Sequence, residues 1–465
     1  MSSKFKVQNS KFFLAGALSS LRQTVFLALA AHCLLFSAYA QLNSGAQQNV
    51  NGRAGTFAIR NARVVTVSGA PIENGTVVIS NGRIAAIGAN ITIPTGAEII
   101  DGKGLSVFPG MIDAGTNMGL AEVTQGANST VDVAEVGDMN ANAKAILGIN
   151  PHTSHVNVTR VNGITTVLSM PTGGIMAGQA AVINLLGSTP NEMAVVPTYG
   201  LVINFPRVTT GGGFGGGGFG GQQVDFNEAL RRRDQRIEDL KKIFRDAENY
   251  GRVRDAYNRD KTLPAPKTDL RMEAMIPYVR GEKPVIFTVE RERDIRAAVR
   301  FADEMKLKAV IMGGQEAWKA ADLLKQKDVA VIYTNIYSLP VREDDPYDFL
   351  FEAPSKLQQA GVRFAISTGD HGAEVRDLPY QAGLAAAYGL SPQEALKSVT
   401  LYPAQILGVA HQLGSIEVGK VANIVVADGD ILEPRTNIRY LFINGRLIPL
   451  TSRHTELYEQ FKDRK

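Results

Sequence analysis

The stretch Val107-Phe-Pro-Gly-Met-Ile-Asp-Ala-Gly-Thr-Asn117 divides the 465-residue chain into two kinds of sequence. It reads as a buried strand that enters through Pro109-Gly110 and ends in a small polar loop. Before it lie short β segments. Phe57 to Val67 and Gly75 to Ser80 are strand-like, Asn81-Gly82 is a two-residue hairpin signal, and Arg83 to Gly88 returns. Glu98 to Val107 adds two more short strands. This unit is too small to bury much surface alone. Its complement is expected at the far end, where Gly414 to Ala427 and Ile438 to Ile448 again read as strands with turns. There Ile443-Asn-Gly-Arg-Leu echoes Ser80-Asn-Gly-Arg-Ile, so residues 55–108 and 411–450 are expected to form one β-sandwich.

Residues 109–410 alternate strand-like and helix-like segments. Val161 to Met170 reads as a helix end and a second strand, and further strands are expected at Ala180 to Leu185, Pro284 to Val289, Ala309 to Met312, Val329 to Tyr333 and Val362 to Ser367. Helices are expected at Asp294 to Glu304, Gln315 to Lys325 and Ser391 to Ser398. Repeated βα units predict a parallel sheet, and a segment of this length suits a (β/α)8 barrel or an open doubly wound sheet. The Gly-rich insertion 209–223 has neither arrangement of a phosphate-binding loop. It reads as a linker or as a loop over the barrel mouth that carries Phe214 and Phe219. From Asp225 to Arg259 a charged helix is expected, with Phe226, Leu230, Ile237, Leu240 and Phe244 as its apolar stripe. Residues 451–465 are expected to end the chain in a helix.

The N-terminus has the pattern of a secretory signal peptide. Lys4, Lys6, Lys11 and Arg22 precede an apolar run from Thr24 to Phe36, and Ala38-Tyr-Ala40 supplies a cleavage site. The run is shorter than the roughly 20 residues of a spanning helix. Cleavage after Ala40 removes Cys33, the single cysteine, and four of the 49 basic residues, which leaves 45 against 45 acidic ones. The mature chain is therefore expected in the periplasm or outside the cell, with a flexible leader at 41–54. Its balanced charge gives no electrostatic case for nucleic-acid or membrane-surface binding.

The dividing stretch closely resembles the first barrel strand of the amidohydrolase superfamily, in its imidazolonepropionase-like and cyclic-amidase branch. Gly414-Ser-Ile-Glu-Val-Gly-Lys-Val-Ala-Asn-Ile-Val-Val426 resembles a second family signature, with Asn423 where the family has Asp. Asn162 to Val167, Gly178-Gln179 and Leu396 to Gly408 are also similar, so the resemblance spans about residues 57–448. It implies a TIM-like barrel inserted in a split β domain. The family reaction is hydrolysis of carbon–nitrogen bonds outside linear peptides, with zinc or another divalent metal. The resemblance places the family's metal-binding histidines at Gly115, Asn117, Thr288 and Gly313, so no metal is expected in this chain. Of the catalytic groups it retains the last-strand aspartate, as Asp370.

Asn117, Thr288, Glu290, His371 and Gln179 are candidate pocket residues, with Arg291 and Glu374 near the same mouth. His152 and His155, three apart, could share a helix face and build a new metal site with Asp370, or make local hydrogen bonds. His411 and His454 read as surface residues. Two functions remain open: a hydrolase that is metal-free or has a rebuilt site, and an inactive relative. The latter would bind a small molecule in the barrel mouth or pair with an intact amidohydrolase; a homo-oligomer is equally compatible.

Overall fold

The computed structural model describes residues 51–122, 131–209, 225–334, 336–340, 342, 344–369 and 371–464. The expected signal peptide and cleavage site, most of the expected leader, the Gly-rich segment with Phe214 and Phe219, and Asp370 lie outside them. Strand β1 (Phe57–Val64) runs antiparallel to β2 (Ile72–Ser80), which turns at Asn81-Gly82 into β3 (Arg83–Gly88). Both turn residues have positive φ, 52° and 77°, which is the conformation this dipeptide supplies to a hairpin. β4 (Glu98–Asp101) pairs in parallel with the first half of β1, and β5 (Ser106–Pro109) with its second half.

The dividing stretch continues as β6 (Met111–Thr116), buried at every position and parallel to β7 (Ile164–Ser169). The short strands β8 (Met176–Gln179), β9 (Ala181–Asn184) and β10 (Ala194–Val196) then depart from the expected pattern. β9 is antiparallel to β7 and β10, and β8 is antiparallel to β11 (Leu201–Asn204). A parallel strand needs a crossover of a dozen or more residues, and the short link between β7 and β9 contains no helix to supply one. Regular alternation resumes from β11 through β12 (Pro284–Val289), β13 (Lys308–Gly313), β14 (Ala330–Tyr333) and β15 (Phe364–Ile366), which run parallel to one another.

The helices between these strands follow the periodicity, except that Gln315 to Lys325 is split into a 3-10 turn at Ala317–Ala320 and a short α-helix at Ala321–Gln326. Glu292–Glu304 buries Ile295, Ala298, Val299 and Ala302, and Ser391 caps Pro392–Ser398 by accepting from the Glu394 N–H. The long helix Phe226–Arg259 is capped by Asp225 and buries Ala229, Leu240, Phe244 and Ala247. Phe226 is exposed, so the buried stripe begins one turn later than the pattern suggests. The Phe244 ring meets Phe301 edge-on at 5.6 Å, which fixes this helix to the helix over β12.

The chain then returns to the first sheet. β16 (Ile424–Ala427) lies antiparallel to β5, followed by β17 (Ile438–Ile443) and β18 (Arg446–Ile448). The two ends therefore join, but as one eight-stranded sheet, β18-β17-β16-β5-β1-β2-β3 with β4 beside β1. They do not form two separately hydrogen-bonded sheets, because the bulged β1 pairs with β4 and β5 along successive halves of the same edge. The expected C-terminal helix is present at Arg453–Phe461, capped by Ser452. Among the described residues no helix is long and apolar enough to cross a membrane.

The echo between the two Asn-Gly turns has a structural reason. Asn444-Gly445 repeats the positive φ values, at 52° and 69°, and the turns touch. Ala422 bridges them: its N–H donates to the Gly82 carbonyl at 2.9 Å, and its carbonyl accepts from the Gly445 N–H at 3.0 Å. A Cβ on Gly445 would lie 2.5 Å from the Gly82 Cα, so the contact demands glycine. Beside it, Asn423 Nδ2 donates to Asn184 Oδ1 at 3.0 Å and to Thr166 Oγ1 at 3.2 Å, while its Oδ1 accepts from the Asn444 N–H at 2.8 Å. An aspartate could accept but not donate, which accounts for asparagine here.

Candidate functional site

The parallel strands end at a cleft of about 420 Å³. Its lining includes Met170 after β7, Asn204 on β11, Thr288 on β12, Gly313 on β13, Thr334 after β14 and Thr368 after β15. Carboxyl ends of parallel strands are the usual place for such a site, because the loops there converge over the sheet. Of the residues singled out from sequence, Thr288, Glu290, Gly313, His371 and Glu374 line the cleft. Glu290 accepts the Gln315 N–H at 3.0 Å.

The other candidates lie elsewhere. Gln179 is 5% exposed on β8 and donates to the Ala141 carbonyl at 2.9 Å, so it braces a loop and does not line the cleft. Asn117, also 5% exposed, accepts the Gly372 N–H at 2.7 Å and ties β6 to the turn after β15. Arg291 pairs with Glu316 instead of facing the cleft. His411 and His454 are exposed, as expected.

His152 and His155 do not share a helix face. The helix begins at Ser154 after the Thr153 cap, which leaves His152 in the preceding turn. The His155 ring Nε2 lies 2.9 Å from the Glu122 carbonyl, and neither histidine lines the cleft. Among the described residues no group of three or more His, Cys, Asp or Glu could hold a metal ion.

Gly115 lies in the interior between β6, β13 and β15. A Cβ there would fall 2.2 Å from Met312 Cε, 2.6 Å from Met312 Sδ and 3.3 Å from Ser367 Oγ. The methionine thus occupies the space a side chain at position 115 would enter. Gly313 has φ +95°, and a Cβ on it would lie 2.4 Å from Glu290 Oε1 and 2.9 Å from the Val289 carbonyl.

Below the cleft, the fully buried Asp113 joins β6 to the end of β15. Its carboxylate accepts from Ser367 Oγ, from Thr368 Oγ1 at 2.6 Å, and from the N–H groups of Thr368 and Gly115. Burial raises its pKa from 3.8 to about 6, and these hydrogen bonds oppose the rise.

Three comparisons bear on this arrangement. The amidohydrolase family model matches residues 321–448. A dihydroorotase from Pelotomaculum thermopropionicum is 24% identical over 431 residues, covering 85% of this chain and 94% of the relative. The crystal structure of an amidohydrolase from Thermotoga maritima MSB8 superposes with a TM-score of 0.74 at 26% identity, covering 84% of this chain and 99% of that one. The chain belongs to the amidohydrolase superfamily. It is also 23% identical over 385 residues to the amidohydrolase tasK of Hapsidospora irregularis, covering 77% of this chain and 38% of that longer protein.

Within this superfamily member, sequence reasoning missed three residues. Asp113 carried a signal, a carboxylate in the otherwise apolar run Met111 to Ala114. Met312 carried none, because its role depends on which strand lies opposite. Gln381 also carried none. It belongs to the helix Leu378–Ala387, yet it lines the cleft at 2% exposure, and its buried Oε1 has no hydrogen-bond partner among the described residues.

Proposed function

We propose that the chain is a small-molecule-binding member of its superfamily that works without the family's metal centre. On this reading the strands form the closed (β/α)8 barrel of the family, inserted in the split β domain, with the cleft as the barrel mouth. The parallel order of β11 to β15 supports closure, as do the Ser367 and Thr368 bonds to Asp113, which bring the end of β15 to β6.

The family's zinc or other divalent metal would need side-chain donors at positions 115, 117, 288 and 313. The residues present do not fit it. Glycine offers no side-chain ligand, and threonine and asparagine are poor substitutes for imidazole. The observation that carries the reading is the Met312 thioether, which fills the space beside Gly115. Asn117 is likewise engaged by the Gly372 N–H. We therefore derive no metal-assisted step for this chain.

The test is an assay of the mature protein against a panel of lactams and cyclic ureides, with added zinc and with EDTA. No turnover in either condition is expected. Turnover that zinc stimulates and EDTA abolishes would overturn the reading. A second reading, a metal-free hydrolase of carbon–nitrogen bonds, is favoured by the presence of Glu290 and His371 in one cleft, since either could serve as a general base. Metal-independent turnover lost in Glu290→Gln would establish it instead. Export is part of the proposal and rests on the leader from Lys4 to Ala40. Pairing with an intact amidohydrolase is a further part; copurification of the two from cells that express both would test it.

A further inference from the structure

We propose that Asp113 and Ser367 form a proton-operated clasp beneath the cleft. With a proton on Asp113 the clasp ties β6 to the end of β15. Without it the tie to the Gly115 carbonyl is lost, and the cleft floor at Thr368 loosens. This goes beyond ligand binding to what controls the site.

Geometry carries it. Among the described residues no backbone ladder joins β6 to β15: β6 pairs with β7, and β15 with β14. The side chains of Asp113, Ser367 and Thr368 make the join instead, and Thr368 lines the cleft. Ser367 Oγ lies within hydrogen-bonding reach of two acceptors, Asp113 Oδ1 and the Gly115 carbonyl, the latter at 2.9 Å. A hydroxyl has one proton to donate. When Asp113 is ionised, that proton goes to the carboxylate, because a charge-assisted bond is roughly twice as strong as a neutral one. The Gly115 carbonyl then loses this donor, in a residue that lies within the register shift between Asp113 and Thr116 of the β6–β7 pair. When Asp113 is protonated, its O–H donates to Ser367 Oγ, and the Ser367 hydroxyl turns to the Gly115 carbonyl. Thr368 still donates to Oδ2 through its N–H at 3.2 Å and its Oγ1 at 2.6 Å. The loaded state thus adds the bond to Gly115 and holds no buried charge.

The elements packed on β6 supply no countercharge. β7 and β15 carry no titratable side chain. The 3-10 turn Gly372–Asp377 carries Glu374, which lines the cleft beside His371, and Arg376, which pairs with Asp377 at 3.8 Å. On the helix Leu401–Ile406, Tyr402 donates to Glu394. β13 brings Met312 towards Gly115, and its one charged residue, Lys308, is exposed at the strand's other end. Burial accordingly lifts Asp113 from 3.8 to about 6, so the clasp is loaded in mild acid and released as pH rises through about 6.

The experiment is hydrogen exchange of the mature protein, read by mass spectrometry on peptides covering Met111–Thr116 and residues 364–369. Exchange times are scaled for the intrinsic effect of pH. Corrected exchange is expected to be about tenfold slower at about pH 5 than at about pH 7.5. Asp113→Asn, whose amide donates to Ser367 at every pH, is expected to stay slow at both. Ser367→Ala removes the relay and is expected to be fast at both, which burial of Asp113 alone would not produce. Equal protection of the native chain at the two pH values would overturn the proposal. So would a full pH difference in Asp113→Asn, which would place the titrating group elsewhere, or in Ser367→Ala, which would leave burial as the whole cause. If Asp113→Asn does not fold, the native chain and Ser367→Ala decide. No ligand or metal enters the measurement, so its failure would leave the small-molecule reading of the cleft standing.

Discussion

The junction of the Asn-Gly turns and the ends of the parallel strands are both places where glycine meets a close neighbour, and they teach opposite lessons. At the junction Gly82, Ala422 and Gly445 touch through backbone, and Asn423 stitches the sheet to β7 and β9 with donors and acceptors matched. This is scaffold, and glycine is there because nothing larger fits. At the strand ends Gly115 and Gly313 stand where the superfamily resemblance implies ligands, and Met312 and Glu290 occupy the space a side chain there would enter. On the proposed reading, the family's architecture is kept while the interior beside its chemistry is repacked. Simple decay would leave holes at these positions; here a thioether and a carboxylate fill them.

The comparison can be broken most severely at the junction. Gly445→Val forces a side chain against the Gly82 Cα at a positive φ, and a loss of more than about 4 kcal/mol is expected, read as a collapsed urea midpoint. Asp113 comes next. Its folded pKa of about 6 lies above the unfolded value of 3.8, so the folded state holds the proton longer. The contribution of this group is full below about pH 4 and is lost as pH rises through about 6. Relative to Asp113→Asn, the native chain is expected to lose on the order of 3 kcal/mol between those limits. Urea titrations of both proteins across that range check it, and parallel curves would sink the assignment.

Smaller effects sharpen the contrast. Asn423→Ala removes the donors to Asn184 and Thr166 and the acceptor for Asn444, for about 2 kcal/mol of stability by thermal or urea melts. Gly115→Ala places a methyl against the Met312 thioether, for about 1 kcal/mol. In a Met312→Ala background the same change is expected to cost close to nothing, so the double-mutant cycle isolates the contact. A Gly115→Ala cost that is unchanged in that background would show that Met312 is not what fills the space.

Much of the scaffold was legible in the sequence because it follows from local chemistry. The Asn-Gly turns announce themselves by their need for positive φ, and Pro284 to Val289 and the Ser391 cap fall where their patterns put them. The antiparallel β9 was not legible, because four apolar residues carry no record of strand direction. The site was legible only in outline. Thr288, Glu290 and His371 follow strand ends and reach the cleft, whereas Gln179 turns away to bind the Ala141 carbonyl. His152 and His155 looked paired by spacing, but the Thr153 cap starts the helix between them. Met312 and Gln381 matter through neighbours distant in sequence, which no local pattern encodes.

The central claim is that the repacked interior holds no metal. Elemental analysis of the purified mature protein, incubated with zinc and then desalted, tests it most directly. The account predicts zinc at the level of a desalted control protein. One or two tightly held ions per chain would contradict it and would mean that this chain builds a metal centre from residues other than those at positions 115, 117, 288 and 313.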